Sequence, residues 1–131
     1  RAGKIGQRPY QLLKEQGIQY VEVRGIDLNP DSLVGITKDQ IRVLDLLLIY
    51  CLVNESPDMS DNEKLLIEKN DITTIKFGRE GSSKISYKNS EVPINEARDN
   101  LINDLILLAD AMADMRYSEA IDSLKIKKTI R

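Results

Sequence analysis

Residues 37–53 constrain the fold more than any other stretch of this chain. Thr37 is followed three positions later by Gln40, the pattern of a capping box that opens a helix. From Val43 to Val53 the residues are apolar nearly all round a helical wheel. Charge is confined to the start, at Asp39, Arg42 and Asp45. A surface helix keeps a polar face, so this pattern predicts a buried central helix ending near Val53. The apolar run is interrupted by Asp45 and is too short to span a bilayer. Asp45 lies among leucines and needs a partner if buried. Arg42, three residues away on the same face, or a segment outside this chain is the expected one. Cys51, within the same run, reads as a buried, inert thiol.

The rest of the chain suits helices around that centre. Pro9 opens a short helix that reaches Gln16, and Gly17 stops it. Ser60 and Glu63 form a second capping box, predicting a helix toward Lys69 or beyond. Residues 72–77 extend that helix or begin a strand; β-branched Thr73 and Thr74 favour strand locally. Residues 78–83 read as a turn and Lys84 to Tyr87 as a short strand. The longest helix is expected from Ile94 to Met115, with an apolar stripe at Ala97, Leu101, Leu105, Leu108, Ala109 and Met112. Tyr117 to Leu124 reads as a final short helix. The ends, residues 1–8 and 125–131, are basic and expected to be mobile. The fold class is α+β and mostly helical.

Composition removes several kinds of chemistry. The 131 residues are one domain's worth of chain. There is no histidine, which excludes Ser-His-Asp and Cys-His catalysis and His-containing metal sites. One cysteine excludes an internal disulfide and a zinc cluster. The net charge of −2 gives no global attraction to nucleic acid or to an anionic membrane. The basic C-terminal end lacks interleaved aromatics and reads as a solvated tail.

The candidate site lies upstream of the central helix. Ile18 to Arg24 reads as a strand, with Tyr20, Glu22 and Arg24 on one face and Val21 and Val23 on the other. A carboxylate and a guanidinium two residues apart suit a metal-bound phosphate, the acid holding a hard cation and the arginine gripping phosphate oxygens. The same pattern fits a structural ion pair on a half-exposed strand. Both readings stand on the residues alone.

The longer run around this strand adds to them. Tyr20-Val21-Glu22-Val23-Arg24-Gly25-Ile26-Asp27-Leu28-Asn29-Pro30 is followed by Gly35-Ile36-Thr37 and by Gln40-Ile41-Arg42-Val43-Leu44-Asp45-Leu46. It resembles the C-terminal part of bacterial glutamate–cysteine ligases, densely over about residues 9 to 54 and more weakly to about residue 115. Gly78-Arg79 and Gly81 resemble a further motif of that family, with one residue fewer before the last glycine. The resemblance implies a fragment of a glutamine-synthetase-like catalytic domain with one active-site strand and one or two further short strands. It implies an ATP- and magnesium-dependent enzyme that joins the γ-carboxylate of glutamate to the amine of cysteine in the cytoplasm.

Glu22 matches the family's magnesium-binding glutamate, and Arg24 the arginine that contacts the transferred phosphate. Tyr20 is given no catalytic role, and Asp27 with Asn29 is expected to shape the loop. The chain starts at Arg1, and the family places this motif past the middle of a longer protein. The expectation is therefore a fragment, inactive alone, whose partner is a missing upstream segment of the same protein. Two other readings are a non-catalytic helical interaction module and another carboxylate–amine ligase of the same superfamily.

Overall fold

The computed structural model describes residues 9–18 and 20–128. Its elements are α1 (Pro9–Gln16), α2 (Lys38–Val53), α3 (Asp61–Phe77), β1 (Lys84–Tyr87), β2 (Ser90–Pro93), α4 (Ile94–Ala111) and α5 (Met115–Lys128). Residues 1–8 and 129–131, part of the ends expected to be mobile, lie outside the described residues. The backbone of residues 125–128 belongs to α5.

The core lies where α2, α4 and α5 meet. Leu46 of α2 is completely buried against Leu105 and Ala109 of α4 and Ile121 of α5. Val43, Leu47, Tyr50, Leu101, Ile106 and Tyr117 pack around this group. The α4 stripe follows its sequence spacing at Ala97, Leu101, Leu105, Leu108 and Ala109, whereas Met112, expected in the same stripe, lies past the end of the helix and is exposed. The capping box of α2 is complete, with Thr37 and Gln40 bonded in both directions.

Two expectations about α2 are corrected. The helix is buried along one face and not all round: Leu48, Cys51, Leu52 and Val53 are exposed. Among the described residues, α4 and α5 are the elements that pack closely on it. Cys51 is therefore an exposed thiol rather than a buried one.

The long C-terminal helix is also shorter than its sequence suggests. Helix α4 stops at Ala111, and Ala113 adopts a left-handed φ of 53°. Asp114 then starts α5: its carboxylate accepts from the Arg116 amide at 3.1 Å and its carbonyl from the Tyr117 amide at 3.1 Å. This break turns α5 back onto α2 and α4.

The described residues contain one sheet, the antiparallel pair β1–β2, with Ile85 opposite Val92. Lys88 and Asn89 between the strands have φ of 47° and 64°. Positive φ at both central residues is what a tight primed hairpin turn requires. Strand β1 agrees with the sequence expectation; β2 is additional to it. Helix α3 has no buried residue and packs on β1. Its Asn70 side chain pairs with the β1 backbone, donating to the Ser86 carbonyl at 2.7 Å and accepting from the Ser86 amide at 2.8 Å. Residues 72–77 continue α3 as helix.

The strand expected at 18–24 does not form among the described residues of that range; Gln19 lies outside them. Residues 20–28 carry no regular secondary structure. A strand exists only as part of a hydrogen-bonded ladder, and among the described residues this segment has no ladder partner.

Candidate functional site

Alternation along residues 20–24 still governs where the side chains go. Glu22 and Arg24 lie on the same side and meet: the Arg24 Nε donates to Glu22 Oε2 at 2.8 Å, and a second guanidinium nitrogen reaches the same oxygen. Both are solvent-facing, at 85% side-chain exposure for Arg24 and 47% for Glu22. An ion pair this exposed is worth about 0–1 kcal/mol. Val21 and Val23 are exposed as well, so the apolar side of the segment is uncovered. Tyr20 is 65% exposed.

The donor set offers one metal ligand. Glu22 Oε2 is engaged by Arg24, and Oε1 accepts no hydrogen bond among the described residues. No three His, Cys, Asp or Glu side chains come together to hold a metal ion among the described residues. Glu22 therefore offers one carboxylate, and no second or third ligand stands beside it among the described residues.

The segment is fastened at its C-terminal end. Asn29 is the centre of that fastening. Its amide donates to the Gly35 carbonyl at 2.6 Å, and its carbonyl accepts from the Ser32 amide at 3.2 Å. Its Oδ1 accepts from the Asp31 amide at 2.9 Å, which closes an Asx turn. Its Nδ2 donates to Gln40 Oε1 at 2.8 Å. That same oxygen accepts from the Thr37 amide at 2.9 Å. Ser32 Oγ donates to the Ile36 carbonyl at 2.8 Å. Gly35 has φ of 75°, and a Cβ there would lie 2.7 Å from Leu28 Cδ2. Asn29 thus shapes the loop as expected, whereas Asp27 makes no such bond among the described residues.

Gln40 was legible as a capping residue but not as the partner of Asn29. The two are eleven positions apart, and only the fold brings them together.

The other charged candidates are structural. Asp45 finds its partner within the chain, and it is not Arg42: it accepts from the Tyr117 hydroxyl at 2.6 Å, and that bond pushes the Tyr117 hydroxyl's pKa up. Arg42 sits 3.6 Å from Asp39 instead. Asp114, held by the Arg116 guanidinium, has its pKa lowered to about 2. Asp104 of α4 accepts from Lys88 at 3.0 Å and from the Tyr50 hydroxyl at 2.9 Å. The Lys88 bond, then the Tyr50 bond, lowers the Asp104 pKa, and the Asp104 bond raises those of Lys88 and Tyr50. This node ties the hairpin turn to α2 and α4.

Arg79 is exposed on the turn after α3. In the same turn Gly81 lies against the start of α4. Its carbonyl accepts from the Asn95 amide at 3.1 Å, and the Ser83 carbonyl accepts from the Ile94 amide at 2.8 Å. These bonds satisfy two amides that a helix start leaves open. A Cβ on Gly81 would overlap the Asn95 side-chain amide. The glycine is explained by this packing.

Comparison with known proteins matches the sequence evidence. The family model for glutamate-cysteine ligase matches residues 1–74. A glutamate–cysteine ligase of Buchnera aphidicola subsp. Acyrthosiphon pisum is 36% identical over 126 residues, covering 92% of this chain and 24% of that protein. One of Saccharophagus degradans is 33% identical over 113 residues, covering 86% of this chain and 21% of that protein. One of Hahella chejuensis is 43% identical over 79 residues, covering 60% of this chain and 15% of that protein. The chain spans 15–24% of the length of these three curated relatives. More than half of the chain falls inside the family match, and that match contains Glu22, Arg24 and the whole Asn29–Gln40 fastening: the chain belongs to the glutamate–cysteine ligase family.

Proposed function

We propose that this chain supplies one wall of an ATP-dependent ligase site that joins the γ-carboxylate of L-glutamate to the amine of L-cysteine, the first step of glutathione biosynthesis. The observation that carries the reading is the Glu22–Arg24 pair. It is exposed, makes no other polar side-chain contact among the described residues, and lies on a segment that presents it openly. Within a full-length, cytoplasmic enzyme of glutamine-synthetase-like architecture, this segment is an active-site strand.

In this reading ATP phosphorylates the γ-carboxylate, and the cysteine amine then displaces phosphate from the γ-glutamyl phosphate. Both steps gather negative charge on phosphate oxygens, so positioned cations lower the barrier. Arg24 turns its planar guanidinium from Glu22 to the transferred phosphate. Glu22 contributes one carboxylate to a magnesium site completed elsewhere in the enzyme. Bound magnesium there supplies charge neutralisation on the phosphates.

The test uses the full-length enzyme. Glu22→Gln removes a ligand charge, and Arg24→Lys keeps a charge but loses the two-pronged grip. Each is expected to lower γ-glutamylcysteine formation by on the order of 10²-fold or more. Glu22→Gln is also expected to need more magnesium. Phosphate release with glutamate and cysteine across a magnesium titration measures both. Near-normal rates in folded variants would make the pair structural and remove the reading. The 131-residue chain alone is expected to release no phosphate above background.

The exposed apolar side chains of α2 and α3, among them Leu52 and Ile75 at 83% each, favour a second reading as a helical interaction module. That reading predicts no rate effect from either substitution.

A further inference from the structure

The Glu22–Arg24 segment is fastened to the folded core through the loop that follows it, and the fastening converges on one oxygen. Gln40 Oε1 accepts from the Thr37 amide at 2.9 Å and from Asn29 Nδ2 at 2.8 Å. The first bond is the ordinary return arm of a capping box. The second is additional and reaches out of the helix to the residue where the segment ends. Residues 20–28 themselves have no sheet partner among the described residues. The Asx turn at Asn29 and the left-handed Gly35 packed on Leu28 make the loop stiff. The clasp thereby transmits the position of α2, whose Leu46 is fully buried, to the residues that follow Arg24.

We infer that Asn29 and Gln40 are a positioning pair: the Nδ2–Oε1 bond fixes where the chain presents Glu22 and Arg24 to a magnesium-bound phosphate. The inference rests on the proposed roles of Glu22 and Arg24. Neither Asn29 nor Gln40 touches substrate; they act through the loop.

The chemistry of the two side chains makes the pair separable from the cap. Asn29→Asp keeps the Oδ1 that accepts from the Asp31 amide but loses the donor to Gln40. A carboxylate then faces Gln40 Oε1. Gln40 can turn its amide to donate to that carboxylate, yet it then turns its Nε2 toward the Thr37 amide and loses the cap. One amide cannot serve both partners in the variant. Gln40→Glu, by contrast, offers acceptor oxygens to both Thr37 and Asn29 and keeps the arrangement. Thr37→Ala weakens the helix cap while leaving the Asn29 bond intact.

The experiment measures these three variants beside Glu22→Gln and Arg24→Lys in the full-length enzyme, as ATP-dependent ligation across a magnesium titration. Amide ¹⁵N relaxation of the 131-residue chain provides a readout independent of activity. Asn29→Asp is expected to slow ligation about tenfold or more and to raise the magnesium requirement, since displacing a charged group by about 1 Å can cost on the order of 10²-fold. In the chain it is expected to raise fast motion over residues 29–36 while residues 41–47 stay rigid. Gln40→Glu and Thr37→Ala are expected within about twofold to threefold of the parent rate, because the geometry of approach is retained.

A parent rate and magnesium requirement for Asn29→Asp, with Glu22→Gln slowed in the same assay, would overturn the positioning role and leave the site reading standing. Slowing of Asn29→Asp without loosening of residues 29–36 would also overturn it, since Asn29 would then act directly. Parent rates for both Glu22→Gln and Arg24→Lys would remove the site reading and this inference together.

Discussion

Residues 20–28 and the α2–α4–α5 core are both rich in aliphatic side chains, yet they behave in opposite ways. Leu46 in the core is 0% exposed, whereas Leu28 in the motif segment is 82% exposed. Val43 packs into the core, whereas Val23 is uncovered. The core is held by long-range contacts among three helices. Among the described residues, the motif segment is held by short polar bonds at its C-terminal end. Stability and candidate chemistry therefore lie in different parts of the chain, and a substitution is expected to affect one without the other.

The largest effect is expected at the core. Leu46→Ala leaves a cavity between α2, α4 and α5 and is expected to cost about 2–5 kcal/mol in urea melts. Leu47, half-buried beside it, is expected to cost less. A Leu46→Ala cost below about 1 kcal/mol would mean that the three helices do not form one cooperative unit, and the comparison would fail at its stable end.

Gly81→Ala comes next. The new methyl overlaps the Asn95 side chain, which must move and give up its bond from Arg98 at 2.8 Å. The expected cost is about 1–3 kcal/mol, the range for inserting a group into filled space. An unchanged melting midpoint would show that the turn after α3 yields freely, leaving Gly81 without a packing reason.

Tyr50→Phe tests the polar seam beside the core. It removes the hydroxyl bond to Asp104 and is expected to cost about 1 kcal/mol near neutral pH. The pH profile has two edges. The Asp104 carboxyl is lowered, so its contribution is present above its ordinary range and is lost as pH falls through the lowered value. Lys88 and Tyr50 are raised, so theirs are present below their ordinary range and are lost as pH rises through the raised values. The variant is expected to flatten both edges, with Lys88 still supporting Asp104. A melt series from about pH 2 to 11 measures this, and parallel curves for parent and variant would remove the node from the account.

The same contrast explains what was legible in the sequence. Helix α1 runs from Pro9 to Gln16 because proline and glycine act on their own neighbourhood, and the structure follows them. The caps at Thr37 and Ser60 are equally local, but the full box forms at Thr37, whereas at Ser60 the structure shows one arm, the Ser60 hydroxyl accepting from the Glu63 amide. Strand β2 and the break after α4 escape a sequence reading because they depend on left-handed Lys88, Asn89 and Ala113, where no glycine announces the turn. The all-round apolar pattern of α2 gave the helix but not its exposed face, because periodicity does not say how many neighbours arrive. Tyr117 was out of reach as the partner of Asp45, lying 72 positions away. At residues 20–24 alternation correctly brings Glu22 to Arg24, but the strand itself needs a ladder that no local pattern supplies.

The smallest expected effect is the sharpest test of the division. In the 131-residue chain, Glu22→Gln and Arg24→Lys touch an exposed pair on a segment that contributes no side chain to the core. Each is expected to shift unfolding free energy by no more than about 0.5 kcal/mol, the usual range for surface substitutions. Salt tightens the argument. An exposed ion pair is screened over about 10 Å at 0.1 M ionic strength, so any difference seen in low salt is expected to shrink as salt is added. The full-length enzyme with the same substitutions is expected to lose activity by on the order of 10²-fold. A stability loss of about 2 kcal/mol or more that persists in high salt would place the pair in the scaffold, since surface pairs do not reach that magnitude. Glu22 and Arg24 would then hold the segment rather than be presented by it, and the separation between a stable helical core and a candidate functional segment would collapse at the residues that define it.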